Sequence, residues 1–148
     1  MVNVYFLDTS ALVKRYVPEI GTNWILSITD PATNHPLAIA QITWVEVLSA
    51  LARRQREGSL SAEQFVLTLQ DFRYDFDNLF QVIEIDQALI EKAGELAIQY
   101  PLRAYDSVQL ASALFLQYSQ LVFVSADERL LNIAQIEGLV TGNPHDGA

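Results

Sequence analysis

The sequence predicts a three-layer α/β/α domain, with a central parallel sheet covered by helices on both faces. Short runs rich in β-branched and aromatic residues alternate along the chain with longer segments of helical character. This alternation is typical of parallel sheets, because each parallel strand needs a crossover before the next one. The chain has 148 residues, 51% hydrophobic and 18% charged, which fits one domain with a substantial core.

The start of the chain predicts a strand and two short helices. Residues 2–7 (VNVYFL) are β-branched and aromatic, which favours a buried strand. A short helix at 9–17 is expected to end before Pro18, because proline cannot continue a helix. Gly21 separates this helix from a second one at 22–28.

The middle of the chain predicts a strand and two longer helices. Residues 37–40 (LAIA) form a short apolar strand, and a helix over about 42–56 is expected to stop at Gly58. A serine and a glutamine three positions apart make a capping box at 61–64. They predict the start of a helix that runs to about Phe76.

A further strand and two helices follow. Residues 80–85 read as a strand, and Asp86 then caps a helix at 86–100 that is stopped by Pro101. The next helix is expected at 104–118.

The last elements are expected to be a strand at 121–125, a helix at 127–136 and a short strand at 139–140. We therefore place one domain at 1–140 and a polar C-terminal tail at 141–148.

Composition excludes several kinds of protein. A net charge of −9 argues against non-specific binding of a polyanion, whose affinity comes largely from lysine and arginine. Cysteine is absent, so neither disulfides nor thiolate chemistry is expected. The two histidines, His35 and His145, lie in a loop and in the tail, which disfavours a Ser-His-Asp triad or a histidine-rich zinc site. No stretch reads as a membrane segment or a signal peptide, so we expect a cytoplasmic location.

Three carboxylates are each the only charge in a long apolar stretch. Such isolation is unusual, because a desolvated carboxylate needs a partner. The stretches are 1–13 around Asp8, 31–52 around Glu46 and 104–126 around Asp106. Either each carboxylate finds a distant basic partner, or they meet around a cation.

The predicted elements place these carboxylates near one edge of the sheet. Asp8 directly follows a strand, and a fourth carboxylate, Asp127, follows another strand by two residues. Glu46 and Asp106 lie near helix starts, where negative charge is favoured. Ligands of parallel sheets bind beyond the carboxyl ends of the strands, and Mg²⁺ and Mn²⁺ prefer oxygen ligands. The four carboxylates together predict a metal site.

Structural roles are the alternative for three of the four. Asp8 and Asp127 can simply cap the helices that follow them, and Asp106 can pair with Arg103 three residues earlier. Glu46 has no basic residue within one helical turn.

Other polar residues near the carboxylates also have two interpretations. Ser10 and Ser125 can cap helices or hold a ligating carboxylate from behind. Arg53 lies two turns beyond Glu46 and can contact RNA, or it can simply complement the C-terminal end of its helix.

Four segments resemble the PIN domain family and, within it, the VapC-type toxins of bacterial toxin–antitoxin pairs. They are YFLDTSALVK, ITWVEVLSAL, LRAYDSVQLASA and FVSADERLLNIAQIEGL. With their spacing they cover nearly the whole chain. Two positions depart from the family pattern: Ser125 stands where threonine is frequent, and Tyr105 where a small residue is usual.

The resemblance implies a PIN-like fold and a Mg²⁺- or Mn²⁺-dependent endoribonuclease. The family's catalytic and metal-binding acids carry over onto Asp8, Glu46, Asp106 and Asp127. Ser10, Ser125, Arg53 and Arg103 are candidates for supporting contacts or RNA contacts. The resemblance also implies an RNA substrate, a cognate antitoxin and a homodimer.

Two other functions stay open at this point. A catalytically silent PIN-like module would bind RNA or a protein without turnover. A dehalogenase-type phosphatase also begins with an aspartate after the first strand, but it needs a second aspartate where this chain has Ser10.

Overall fold

The computed structural model describes residues 3–116 and 118–146. The predicted strand at Val2, the predicted helix at Gln117 and the predicted tail at 147–148 lie outside the described residues.

Five strands form one parallel sheet. They are β1 Val4–Leu7, β2 Leu37–Ala40, β3 Gln81–Ile83, β4 Leu121–Val124 and β5 Val140–Gly142. Their order across the sheet is β3-β2-β1-β4-β5, and each neighbouring pair is parallel. The predicted central parallel sheet is confirmed.

Seven α-helices are found in the described residues, together with a short 3-10 turn at Pro31–Thr33. They are α1 Thr9–Tyr16, α2 Thr22–Thr29, α3 Thr43–Arg56, α4 Ala62–Asn78, α5 Gln87–Gln99, α6 Ala104–Leu114 and α7 Glu128–Ile136. None of these helices is long and apolar enough to cross a membrane.

Two apolar clusters pack the helices onto opposite faces of the sheet. Phe6 of β1 contributes to the cluster that includes α5, α6 and α7. Tyr5 and Leu7 contribute to the other cluster, which includes α1, α2, α3 and α4. Alternate residues of a strand point to opposite faces, so β1 supplies both cores. This confirms the three-layer α/β/α architecture.

The strand order creates a crevice beside β1. The chain first builds outward through β2 and β3, and then returns to the other side of β1 to form β4 and β5. The segments after β1 and β4 therefore leave toward opposite faces of the sheet. Such a switch point is where α/β sheets bind ligands.

Several predicted boundaries differ from the structure: β3 is Gln81–Ile83 where 80–85 was expected, and α4 ends at Asn78, two residues beyond Phe76. Helix α6 ends at Leu114, so the expectation that it reaches Tyr118 is wrong. The chain tightens there, with the Leu116 N–H donating to the Ala113 carbonyl, because it must turn back into β4. Thr141 and Gly142, which we assigned to the tail, belong to β5 and pair with β4.

The residues after β5 pack back onto the domain. Pro144 is buried against Gly21, whose φ of 92° is left-handed. A Cβ added at Gly21 would lie 2.8 Å from the Cβ of Pro144, so both the backbone conformation and the space require glycine. This packing brings His145 to the wall of the groove described next.

Candidate active site

The four predicted carboxylates line a single groove at the carboxyl edge of the sheet. Its volume is about 860 Å³, and its walls come mainly from α1, α3 and the start of α6. The carboxylates are Asp8, Glu46, Asp106 and Asp127. Three of the four supporting candidates, Ser10, Arg53 and Arg103, also line the groove.

Asp8 lies at the bottom of this site and is only 4% exposed. It caps α1, since its Oδ1 accepts the Ala11 N–H at 3.0 Å. The same oxygen accepts a hydrogen bond from the Ser10 hydroxyl at 2.7 Å, and Oδ2 accepts one from Ser125 at 2.6 Å. The capping alternative is therefore correct for Asp8, and it coexists with a place in the groove.

Ser10 and Ser125 join the segments that follow β1 and β4. Ser10 Oγ accepts the Ala126 N–H at 3.0 Å, and Ser125 Oγ accepts the Asp127 N–H at 3.0 Å. Each hydroxyl thus accepts from the backbone after β4 while it donates to Asp8. Neither serine caps a helix, so the capping interpretation is wrong for both. The caps of α1 and α7 are the aspartates themselves.

Burial controls the protonation of Asp8. Loss of solvent raises the pKa of its carboxyl group to about 6, although the hydrogen bonds from Ser125, Ser10 and Ala11 oppose the increase. The negative charge of Asp106 makes a smaller contribution to the same increase.

Glu46 is held by neutral donors. Its Oε1 accepts hydrogen bonds from Thr9 Oγ1 at 2.9 Å and from Gln109 Nε2 at 2.8 Å. The same Gln109 nitrogen lies 2.9 Å from Thr43 Oγ1 and 3.2 Å from Thr9 Oγ1. No ion pair to Glu46 occurs among the described residues. Three helices, α1, α3 and α6, therefore meet at this carboxylate.

Gln109 is the residue that our sequence prediction missed. It is 2% exposed, and its Oε1 has no hydrogen-bond partner in the described part of the chain. The available signal was a lone amide in an apolar run, three residues after Asp106 and so on the same helix face.

Asp106 is the electrostatic link among the carboxylates. Partial burial raises the pKa of its carboxyl group, the positive charge of Arg103 lowers it, and the negative charges of Asp127 and Glu46 raise it. The contact between Arg103 Nε and Asp106 Oδ2 measures 3.6 Å, and the arginine side chain is 88% exposed. An ion pair this exposed neutralises little of the carboxylate charge.

Asp127 caps α7, as the capping alternative predicted. Its Oδ1 accepts the N–H groups of Arg129 at 3.0 Å and Leu130 at 3.3 Å. Because one oxygen serves both contacts, the cap leaves Oδ2 outside these bonds.

The opposite end of the groove is basic. Lys14, Arg53 and Arg54 line it together with Glu19. Glu19 bonds two of these cations, with its Oε1 3.0 Å from Lys14 Nζ and its Oε2 2.8 Å from Arg54 Nη2. The groove thus has an acidic end and a basic end.

Comparisons with known proteins identify the family of this chain. The PIN domain family matches residues 5–136. Ribonucleases VapC45 and VapC49 of Mycobacterium tuberculosis are each 31% identical to this chain over 135 residues, which cover 91% of this chain and 91% of each relative.

Solved structures show the same fold. A toxin–antitoxin complex from Klebsiella pneumoniae matches with a TM-score of 0.65 at 22% identity, covering 95% of this chain and 97% of that one. VapBC2 from Rickettsia felis, bound to a DNA fragment from its promoter, matches with a TM-score of 0.65 at 18% identity, covering 95% and 98%. The chain therefore belongs to the PIN domain family and, within it, to the VapC-type proteins.

Proposed function

We propose that this protein is a metal-dependent endoribonuclease and the toxin of a VapBC-type toxin–antitoxin pair. The observation that carries the proposal is the meeting of Asp8, Glu46, Asp106 and Asp127 in one groove of a PIN domain. The relatives that are named ribonucleases support RNA as the substrate.

The chemistry of these donors fits Mg²⁺ or Mn²⁺. All four candidate ligands are carboxylates, which hard divalent cations prefer. Asp106 is repelled by the neighbouring negative charges, and a bound cation would relieve that repulsion. In the described ranges no three His, Cys, Asp or Glu side chains are grouped closely enough to hold a metal ion. We propose that Asp8, Glu46, Asp106 and Asp127 would hold such an ion, whose positive charge would offset the repulsion among them.

The residues around the ligands prepare them for this role. Ser10 and Ser125 fix the orientation of Asp8, and Thr9 and Gln109 fix that of Glu46. When bound, the ion supplies a more acidic water and stabilises the charge that develops at phosphorus.

We also propose a cytoplasmic homodimer that pairs with a cognate antitoxin and contacts no membrane. The solved toxin–antitoxin complexes that share this fold support the antitoxin. An antitoxin encoded by the adjacent open reading frame would be recovered with the protein after co-expression.

The central test removes one charge from the site. We expect Asp8→Asn to lower Mg²⁺-dependent cleavage of RNA by about a hundredfold or more, since changes even behind metal ligands cost tenfold to a hundredfold. Asp86→Asn is the matched control, because Asp86 also caps a helix but lies outside the groove.

Undiminished cleavage by Asp8→Asn would contradict the role of Asp8. A wild-type protein that binds RNA but neither cleaves it nor binds Mn²⁺ in calorimetry would instead support the silent PIN-like module.

A further inference from the structure

Two cations at the basic end of the groove, Lys14 and Arg54, have hydrogen-bond donors that Glu19 does not use. Lys14 is 4% exposed, and Glu19 is its hydrogen-bond partner in the described residues. A lysine ammonium has three donors and an arginine guanidinium has five. Lys14 and Arg54 each use one side-chain hydrogen bond on Glu19. Both side chains can therefore accept a further anion without giving up this contact.

The cluster also has unbalanced charge. One carboxylate, Glu19, faces two cations, so the group carries a net positive charge. Arg53, one residue before Arg54, lines the same groove and is exposed. An anion at this position would find several charge-assisted donors.

The two helices that carry the cations give the groove a direction. Lys14 of α1 lies six residues beyond the N-cap Asp8, and on α3 Arg54 lies eight residues beyond Glu46. At 1.5 Å per residue, the cations lie about 9–12 Å along each helix from the carboxylates. Glu19 contacts both Lys14 and Arg54, so the basic ends of the two helices lie close together.

We propose that Lys14 and Arg54, held in place by Glu19, form a binding site for a phosphate of single-stranded RNA. This site rests on the proposed function, since it would receive a phosphate of the same strand whose scissile phosphate lies at the carboxylates. Glu19 orders the two cations, but its negative charge also weakens their attraction for the phosphate. The site would add sequence-independent affinity in an otherwise acidic protein.

The test measures RNA affinity without cleavage. A short fluorescently labelled single-stranded RNA of mixed sequence is titrated in EDTA and at several salt concentrations. We expect Lys14→Met and Arg54→Met to weaken binding several-fold. Each should make the slope of log affinity against log salt shallower by about 0.7, the value for one phosphate contact on a single strand.

For Glu19→Gln we expect the opposite change in RNA affinity. This variant therefore distinguishes a phosphate-binding site from a purely structural ion pair. It breaks the same salt bridges as the two methionine variants, yet it should tighten RNA binding several-fold. A merely structural cluster would respond in the same direction to all three changes. Arg56→Met is the matched control, since Arg56 is an exposed cation at the end of α3 that does not line the groove.

Two results would overturn the proposal. One is a shift of RNA affinity in the same direction for Lys14→Met and Glu19→Gln. The other is an RNA affinity of Lys14→Met and Arg54→Met equal to that of Arg56→Met. That result is expected if the two cations bind a carboxylate of a protein partner instead of an RNA phosphate. If Lys14→Met fails to fold, Arg54→Met tests the site without changing the buried lysine. Loss of metal-dependent cleavage bears on the proposed function, whereas RNA affinity in EDTA bears on this site.

Discussion

Asp8 occupies a position that costs the fold stability. Its carboxyl group is buried, and two serine hydroxyls and one backbone N–H compensate only part of the lost hydration. A group kept ionised at such a cost is typical of functional sites, which often trade stability for activity.

The raised pKa of Asp8 gives stability a pH dependence. Its folded value of about 6 exceeds the ordinary value of 3.8, so between these two pH values the native state binds more protons than the unfolded state. The free energy of unfolding should therefore decrease as pH rises, by about 3 kcal/mol in total from this group, and about two thirds of this decrease falls between pH 4 and pH 6. We expect Asp8→Asn to be more stable than the wild type at pH 7.5, with no such gain at pH 4.

Urea unfolding of both proteins at the two pH values measures this difference. Asp86→Asn, the helix cap outside the groove, should follow the wild type at both. Equal stability of Asp8→Asn and the wild type at pH 7.5 would show that Asp8 is not destabilised by burial.

At the residue scale, the sequence predicted the carboxylates better than their surroundings. Asp8, Glu46 and Asp106 could be recognised because a single charged residue in an apolar stretch of sequence indicates a functional role. Gln109 was missed because a lone neutral amide is a weaker signal than a lone charge, and its partners Thr9 and Thr43 lie on other helices. Capping of α7 by Asp127 was predicted as an alternative to a place in the groove, but one carboxylate can do both.

Helix α6 presents Asp106 and Gln109 to the groove one turn apart. The Glu46 carboxylate fixes the orientation of the Gln109 amide, because its Oε1 facing that carboxylate at 2.8 Å would be repulsive. This orientation leaves the Gln109 Oε1 without a hydrogen-bond partner among the described residues.

Replacing this amide should affect the proposed metal site more than the fold. We expect Gln109→Leu to weaken Mn²⁺ binding by about tenfold, as for other groups that orient a ligand. The melting temperature should change little, because leucine also removes a buried oxygen without a partner. Calorimetric titration with Mn²⁺ and thermal unfolding measure the two effects, with the exposed Gln99→Leu as the control. Unchanged Mn²⁺ affinity would contradict the orienting role.

At the element scale, locally encoded boundaries were predictable and others were not. The capping box at Ser61 and Gln64 is present in full and starts α4 as expected. The end of α6 was misplaced because no proline or glycine marks it, and the return into β4 determines it instead. Strand β5 was predicted too short, since its pairing with β4 depends on tertiary structure.

At the scale of the whole molecule, metal binding should stabilise the fold. A ligand at a hundred times its dissociation constant adds about 2.7 kcal/mol to the free energy of unfolding, which for a domain of this size raises the melting temperature by about 8 °C. We expect saturating Mn²⁺ to produce such a rise in the wild type and a smaller one in Asp8→Asn. Thermal unfolding with and without Mn²⁺ measures it, and equal rises in both proteins would place the ion elsewhere.

The alternation of strands and helices predicted the parallel sheet and the edge at which its ligands bind. It could not predict the strand order, because the pattern does not say on which side of β1 each later strand docks. That order places β4 beside β1, and so brings Asp127 near Asp8. The family membership also removes the dehalogenase-type phosphatase from consideration.

The hydrogen bond between Ser125 and Asp8 spans 117 positions of the chain. The site therefore requires both the first strand and the fourth, and no fragment that ends before β4 contains it. During synthesis, Asp8, Glu46 and Asp106 would be added to the chain before the residues after β4, Ser125 and Asp127, which complete the site. The site would therefore form only after β4 had been synthesised and had docked beside β1.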